Sequence, residues 1–156
     1  MPVEVQIATD EPAPAPELIE RWAQGALSCL DGPDAGAADM QAAELCVRVV
    51  TAGESRQLNA AYRHIDKPTN VLSFPADVAL PDVRVLGDIV VCAAVVAAEA
   101  AAQGKRLEDH FAHMIVHGVL HLLGYDHDQG DEAERMESLE REILGRFDIA
   151  DPYQPA

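Results

Sequence analysis

The spacing of apolar residues predicts four strands and five helices in one domain spanning residues 1–156. Short β-rich runs predict strands at residues 3–7, 44–50, 70–75 and 87–92. Helical spacing of apolar residues predicts helices at about 18–30, 53–63, 93–103, 107–123 and 131–147. We therefore expect an α+β fold in which a small mixed four-stranded sheet is covered by about five helices.

Prolines, glycines and acidic residues mark the connections between these elements. Residues 8–17 are proline-rich, and residues 31–39 form a loop by their Gly, Pro and Asp content. Pro75 is expected to close the third strand, and a loop is expected at 76–85. Asp131, with Glu134 three residues later, is a capping-box pattern that predicts the start of the last helix.

The helix predicted at 107–123 is apolar around most of its circumference and has one stripe of histidines. At about 100° per residue, one arc about 80° wide contains His110, His113, His117 and His121. A helix that is apolar nearly all round is buried, and polar groups on it need partners. We therefore expect this helix to lie in the core.

A glycine and a further histidine follow this stripe. Gly124 accepts a positive φ where a helix ends, so the chain can double back and bring His127 towards His117 and His121. Two imidazoles one turn apart and a third on the return suit zinc, with the fourth position left open for water. We predict one Zn²⁺ per chain, bound by these three histidines on the buried helix and the turn after it.

The alternative is that these are ordinary core or surface histidines satisfied by hydrogen bonds. A lone histidine favours that interpretation, but three at this spacing with a glycine between them favour a metal site. His110 and His113 lie a turn or more upstream. For these two we expect a supporting or substrate-facing position at most.

The outline HxxxHxxGxxH also resembles the HExxHxxGxxH site of metzincin proteases. The protease has its general-base glutamate directly after the first histidine, where this chain has Gly118. A glycine cannot accept the proton of an attacking water. The set of ligands is therefore retained, and peptidase chemistry is not expected.

A second group of polar residues occupies 58–75, LNAAYRHIDKPTNVLSFP. Arg56, Arg63 and Lys67 are close together in a chain with 27 acidic and 11 basic residues. Further hydrogen-bonding groups come from Asn59, Thr69, Asn70 and Ser73. Composition alone also fits a helix end and a turn with ordinary solvated charges.

Three blocks in order, LNxxYRxxDKPTNVLSFP, LGDIVVC and HxxxHGVLHLLGYDH, resemble the YbeY family of bacterial ribosomal-RNA-processing endoribonucleases. The similarity runs from about residue 54 to 127 and continues more weakly into the last helix and DPY at 151–153. The first 43 residues add nothing to it. The motif HGxLHLxGYDH is highly specific. Its presence together with the other two blocks, in the same order, makes a chance match very improbable.

This resemblance implies zinc binding through His117, His121 and His127, and an arginine important for activity at Arg63. It implies cleavage of single-stranded RNA, a role in 16S rRNA 3′-end maturation and ribosome quality control, and a cytoplasmic location. His64, beside this arginine, is not part of the motif and is given no role.

The open three-histidine site motivates a mechanism in which zinc activates a water while Arg63 pairs with phosphate oxygens. Attack by the ribose 2′-hydroxyl remains an alternative. The proton carrier also stays open, with Asp66, Asp88 and Asp126 within reach in sequence. Each is more typical of a carboxylate that orients an imidazole.

A net charge of −16 is unfavourable for a free-standing RNA binder. We therefore expect the basic groups to be gathered at the RNA-binding cleft. We expect the acidic surface to dock on ribosomal particles or basic ribosomal proteins.

No secretory signal is visible, the apolar run at 89–102 is too short for a bilayer, and neither a membrane nor DNA is expected as a partner. Cys29, Cys46 and Cys92 are expected to be reduced, as in cytosolic proteins.

Two other functions remain open. The chain could be another metal-dependent hydrolase using the same three histidines. It could also be a non-catalytic ribosome assembly factor with a structural zinc, which would need a fourth protein ligand such as His113 or Asp126.

Overall fold

The computed structural model describes residues 3–28, 43–79, 84–124 and 130–153. These residues form four strands and five helices: β1 (Val3–Ile7), α1 (Pro16–Ser28), β2 (Ala43–Val50), α2 (Ala52–Arg63), β3 (Val71–Ala79), β4 (Arg84–Cys92), α3 (Ala93–Gln103), α4 (Leu107–Leu122) and α5 (Gly130–Gly145). The α+β fold predicted from the sequence is confirmed. The loop predicted at 31–39 lies outside the described residues.

The strands form one mixed sheet in the order β1-β2-β4-β3. β1, β2 and β4 run parallel, and β3 pairs antiparallel with β4 at one edge. In the register of the sheet Val5 lies opposite Val47, Val47 opposite Ile89, and Ile89 opposite Ser73. β4 is therefore an inner strand, and Ser73 on the edge strand is its direct neighbour.

The third strand is longer than the sequence predicts. β3 continues through Pro75 to Ala79 and β4 begins at Arg84, so the predicted loop at 76–85 is wrong for residues 76–79 and 84–85. Positions 80–83 lie outside the described residues. Because β3 is an edge strand, a proline without an N–H is tolerated there. The register shifts between Pro75 and Val78, and Gly87 opposite this bulge has a φ of 141°. A Cβ at Gly87 would collide with the carbonyl oxygen of Phe74.

The two faces of the sheet pack against different helices. Ile89 and Val91 of β4 belong to the main core with α1, α4 and α5, whereas Val90 packs with Leu72 and with Leu58 of α2. Successive side chains of a strand point to opposite faces, so α2 and α4 lie on opposite sides of the sheet. The prediction that α4 is buried is confirmed by its core residues Phe111, Ala112, Met114, Ile115, Val116, Val119, Leu120 and Leu122.

Helix α4 approaches the sheet closely at Gly118. A Cβ at this position would lie 2.8 Å from Cγ2 of Ile89. The Ser73 hydroxyl donates a hydrogen bond of 3.3 Å to the carbonyl oxygen of Gly118. The helix ends at Leu122, and Gly124 has a φ of 101°, which confirms the predicted positive φ after the histidine stripe. These contacts fix the histidine-bearing helix against β3 and β4.

Helix α5 begins at Gly130, one residue earlier than predicted. The side chain of Asp131 lies outside the described residues, so the capping box stays a prediction. Across the described ranges, no helix combines the length and hydropathy needed to cross a membrane.

Candidate active site

Four histidines follow one another along a single face of α4. Successive ring centroids are 6.1 Å apart for His110 and His113, 6.4 Å for His113 and His117, and 5.8 Å for His117 and His121. His117 and His121 are partly exposed, whereas His110 and His113 are buried. The structure therefore brings two of the three predicted zinc ligands together at the accessible end of the stripe.

The third predicted ligand, His127, and the candidate proton carrier Asp126 lie outside the described residues. Among the residues that are described, no group of three or more His, Cys, Asp or Glu side chains is placed to hold a metal ion. The three-histidine set as a whole stays a prediction.

A buried carboxylate on α5 lies between two of the histidines. Glu140 is completely buried. Its Oε2 accepts a hydrogen bond from Nε2 of His113, and its Oε1 lies 3.5 Å from Nδ1 of His117. The hydroxyl of Tyr153 donates to the same carboxylate, at 3.0 Å from each oxygen. Glu140 thus links α4, α5 and the C-terminal segment.

The charge of this carboxylate favours a proton on the ring nitrogen that faces it in each histidine. Burial would raise the pKa of Glu140, but hydrogen bonds from His113 and His117 outweigh it and lower this pKa to about 2. An ionised carboxylate only accepts hydrogen bonds, so it favours a proton on Nε2 of His113 and on Nδ1 of His117. In neutral His117 the lone pair therefore lies on Nε2.

His110 is held by a second carboxylate. Its Nε2 lies 2.9 Å from Oε1 of Glu99. The Asn70 amide donates to Oε1 and Oε2 of the same carboxylate, at 3.1 and 3.3 Å. Burial lowers the pKa of His110, against the opposing effect of its hydrogen bond to Glu99. The Nδ1 atoms of His110 and His113 are buried without a partner among the described residues. His110 and His113 were expected to be either supporting or substrate-facing residues. Their burial fits the supporting position.

Among the described residues, the carboxylates that contact imidazoles are Glu99 and Glu140, and neither Asp66 nor Asp88 does so. Asp66 instead accepts two hydrogen bonds from Arg56, at 2.7 and 3.0 Å, and Asp88 is exposed on β4. Glu140 was missed, although it follows Met136 by four residues and precedes Ile143 by three on the buried face of α5. A glutamate within such an apolar stripe indicates a buried partner.

Arg63 is the last residue of α2 and is exposed. His64 follows in the left-handed region at φ 61° and donates its backbone N–H to the carbonyl oxygen of Ala60 at 3.2 Å, so it closes the helix. No hydrogen bond or ion pair between described residues joins Arg63 to His117 or His121. The described contacts thus bring the two histidines together and leave Arg63 at the end of α2.

The basic residues around Arg63 differ in their availability. Arg56 is engaged by Asp66, whereas Arg63 and Lys67 are exposed and form no ion pair within the described ranges. Tyr62 is 66% exposed, and its ring makes a T-shaped contact with Phe74 at 5.0 Å between centroids. An aromatic ring and two available cations therefore occupy the end of α2 and the segment after it.

The segment after α2 is fastened to the helix by two polar side chains. Asn59 donates to the carbonyl oxygen of Lys67 at 2.8 Å. The Ser55 hydroxyl donates to the carbonyl oxygen of Thr69 at 3.1 Å and accepts from the Thr69 N–H at 3.0 Å. These bonds explain why hydrogen-bonding residues are concentrated in this part of the sequence.

Comparison with known proteins identifies the family. The family model described as "Endoribonuclease YbeY" matches residues 6–148. The chain belongs to the endoribonuclease YbeY family. The resemblance inferred from the three sequence blocks is therefore confirmed.

Individual YbeY proteins match over 70% to 97% of the chain. The Endoribonuclease YbeY of Pseudomonas putida is 50% identical over 153 residues, covering 97% of this chain and 92% of its own. That of Halorhodospira halophila is 51% identical over 146 residues, covering 91% and 89%. That of Chromohalobacter salexigens reaches 62% over 112 residues, covering 70% and 72%.

A solved structure has a fold similar to the one described above. The solution structure of TM1509 from Thermotoga maritima matches with a TM-score of 0.55 and 23% identity, covering 97% of this chain and 99% of that chain. This likeness supports the arrangement of the sheet and helices.

Proposed function

We propose that the chain is a zinc-dependent endoribonuclease that cleaves single-stranded ribosomal RNA, and that residues 1–156 form one domain. One Zn²⁺ is held by His117, His121 and His127, and Arg63 binds the phosphate. The observation that carries the proposal is the pair His117 and His121, whose ring centroids are 5.8 Å apart on one partly exposed helix face. Membership of the endoribonuclease YbeY family gives the reaction its class.

The donor chemistry on α4 fits zinc. Zinc binds neutral imidazoles, and of the two neutral tautomers of His117 the carboxylate of Glu140 beside Nδ1 favours the one with its lone pair on Nε2. His127 is assigned as the third ligand from its place after Gly124 in the sequence motif. A zinc ion bound there supplies Lewis-acid chemistry, which makes water more acidic and a phosphoryl group more electrophilic.

Arg63 is proposed to bind the scissile phosphate. Its guanidinium is always charged and presents a fork of donors that matches two phosphate oxygens. It is exposed and forms no ion pair within the described part of the chain, so substrate does not compete with an internal carboxylate. Arg56, seven residues earlier, is unsuitable because Asp66 already occupies its fork.

Preference for single strands is supported by the aromatic ring beside this arginine. Tyr62 is 66% exposed, and its contact with the Phe74 ring is T-shaped, with an interplanar angle of 65°. An exposed aromatic face next to cations is typical of proteins that bind unpaired nucleotides, because bases stack on the ring while cations bind the backbone. Bases within a duplex are already stacked and cannot use such a ring.

The acidic surface supports a role on the ribosome. At a net charge of −16, long-range repulsion opposes binding of free RNA. We propose that the acidic surface docks on basic ribosomal proteins in the cytoplasm, which brings the 16S rRNA 3′ end to the site. Maturation of that end and quality control of ribosomes are the roles that the family resemblance implies.

A cleavage assay on the full-length chain tests this function. Single-stranded RNA, duplex RNA, single-stranded DNA and casein are incubated with the protein before and after chelation, and again after zinc is restored. We expect cleavage of single-stranded RNA alone, lost on chelation and restored by zinc. Casein cleavage would indicate a peptidase, and zinc binding without any cleavage would indicate an assembly factor. A 2′,3′-cyclic phosphate on the product would identify the 2′-hydroxyl as the nucleophile.

A further inference from the structure

We propose that Glu140 and Tyr153 are positioning residues that hold His117 in the tautomer able to bind a metal through Nε2. This inference rests on the proposed zinc site. It extends that site by a residue of α5 and a residue of the C-terminal segment, neither of which belongs to the histidine motif.

The burial of Glu140 is the first observation. The residue is completely buried, and an isolated carboxylate in a protein interior is strongly unfavourable unless several donors compensate it. Of the described residues, three contact it through their side chains: the His113 ring at Oε2, the His117 ring at Oε1, and the Tyr153 hydroxyl within 3.0 Å of both oxygens. Two of these are imidazoles one helical turn apart on α4. The carboxylate is therefore placed to orient rings and is inaccessible to substrate.

The side of the His117 ring that faces Glu140 is the second observation. Nδ1 of His117 lies 3.5 Å from Oε1 of Glu140, so a proton on Nδ1 is favoured by the negative charge. A neutral imidazole with its proton on Nδ1 has its lone pair on Nε2, which is the form that binds a metal. Carboxylates that accept the second N–H of a ligating histidine commonly fix its tautomer and ring orientation.

The way in which Tyr153 is held is the third observation. Arg141 on α5 pairs with Asp151 at 3.1 Å, and its guanidinium carbon lies 5.5 Å from the centroid of the Tyr153 ring. Asp151 also accepts a hydrogen bond of 2.9 Å from the Tyr153 N–H. The segment after α5 is thus fastened so that the phenol reaches the buried carboxylate. Loss of this hydroxyl alone should loosen the orientation of Glu140 without emptying the core.

The test measures zinc affinity in full-length variants by competition with a chromophoric chelator. In Glu140→Gln the shape is kept and the charge is lost, and in Tyr153→Phe only the hydroxyl is lost. We expect zinc affinity to fall by about 10- to 100-fold in Glu140→Gln and by a smaller factor in Tyr153→Phe. Glu142→Gln is the matched control, because Glu142 is an exposed glutamate of the same helix paired only with Arg146 among the described residues.

A second readout separates positioning from structural support. The visible spectrum of the cobalt-substituted protein should change in Glu140→Gln and Tyr153→Phe and stay as in the wild type in Glu142→Gln. The thermal midpoint of metal-free Tyr153→Phe should remain close to that of the metal-free wild type. A purely structural role would lower this midpoint and leave zinc affinity unchanged, which would overturn the proposal. If Glu140→Gln does not fold, Tyr153→Phe decides the question by the same measurements.

His121→Ala distinguishes failure of this inference from failure of the proposed function. If the wild type binds zinc and His121→Ala does not, the zinc site stands. Wild-type affinity in both Glu140→Gln and Tyr153→Phe would then contradict the positioning role alone. If the wild type itself binds no zinc, the proposed function fails and the positioning role fails with it.

Discussion

Gly118 lies so close to Ile89 that a Cβ at position 118 would come within 2.8 Å of Cγ2 and 3.2 Å of both Cγ1 and Cδ1. Ile89 is completely buried on an inner strand and cannot move aside freely. Position 118 is where a metzincin protease has its general-base glutamate. The close packing of α4 on β4 therefore explains why this chain has the metzincin spacing of histidines with a glycine after the first one.

Replacing Gly118 by alanine should destabilise the fold. Helix propensity alone would favour alanine by roughly 0.5–1 kcal/mol. Overpacking against Ile89 should outweigh this and lower the free energy of unfolding by about 1–3 kcal/mol. Urea denaturation measures the change. Gly145→Ala is the control, because a Cβ there meets no atom within 4 Å. Equal stability of Gly118→Ala and the wild type would show that α4 shifts easily.

Arg63→Ala should abolish most RNA cleavage and leave the fold intact. Removal of one preorganised donor to a developing charge typically lowers the rate about 100- to 1,000-fold. Arg63 is exposed and forms no ion pair with a described residue, so its loss should not change the urea midpoint. Initial rates on single-stranded RNA measure the effect, with Arg146→Ala as the control on α5. Near-normal cleavage by Arg63→Ala would remove this arginine from the mechanism.

Tyr62→Ala should weaken binding of single-stranded RNA. Stacking of one base on an aromatic ring is worth about 1–3 kcal/mol. The dissociation constant for single-stranded RNA should therefore rise by roughly 5- to 150-fold. Tyr62→Phe retains the ring and should bind like the wild type. Fluorescence anisotropy with a labelled oligonucleotide gives both values, and duplex RNA of the same length should show no difference between the variants. An equal loss on duplex RNA would argue against stacking.

Features of the fold that depend on residues close together in the sequence could be predicted, and features that depend on distant residues could not. Helix α4 was placed within one residue, because its burial shows in an apolar pattern around the whole helix and its end is marked by Gly124. The course of β3 past Pro75 was not predicted, since a proline normally ends a strand. It is tolerated because β3 lies at the edge of the sheet, and one sequence does not give the order of strands.

In the candidate site too, contacts within one helix could be predicted from the sequence and contacts between helices could not. His117 and His121 could be grouped from the sequence because they are one turn apart on one helix. Glu140 comes from a separate helix, 23 residues after His117 in the numbering, and its pairing with two histidines depends on how α4 and α5 pack. Its position between Met136 and Ile143 on an apolar face was the local feature that could have drawn attention to it.

Cleavage should be faster on ribosomal particles than on naked RNA. The net charge of −16 opposes approach to a bare polyanion, and basic ribosomal proteins would reverse that repulsion. Rates on an isolated 16S 3′ fragment and on small-subunit particles, at equal RNA concentration, measure the difference. Raising the salt concentration should reduce the advantage of the particles. Equal rates on both substrates would exclude docking as the source of specificity.

In the proposed function, the histidines of α4 and the motif after it hold one zinc ion that is needed for RNA cleavage. Metal content and cleavage rate are best measured together, on the same preparations of wild type, His121→Ala and His64→Asn. His64 is an exposed histidine outside the motif, and asparagine tolerates its left-handed conformation. We predict one zinc per chain with cleavage in the wild type and in His64→Asn, and loss of both in His121→Ala. Undiminished cleavage by zinc-free His121→Ala would contradict a zinc-dependent reaction at these histidines.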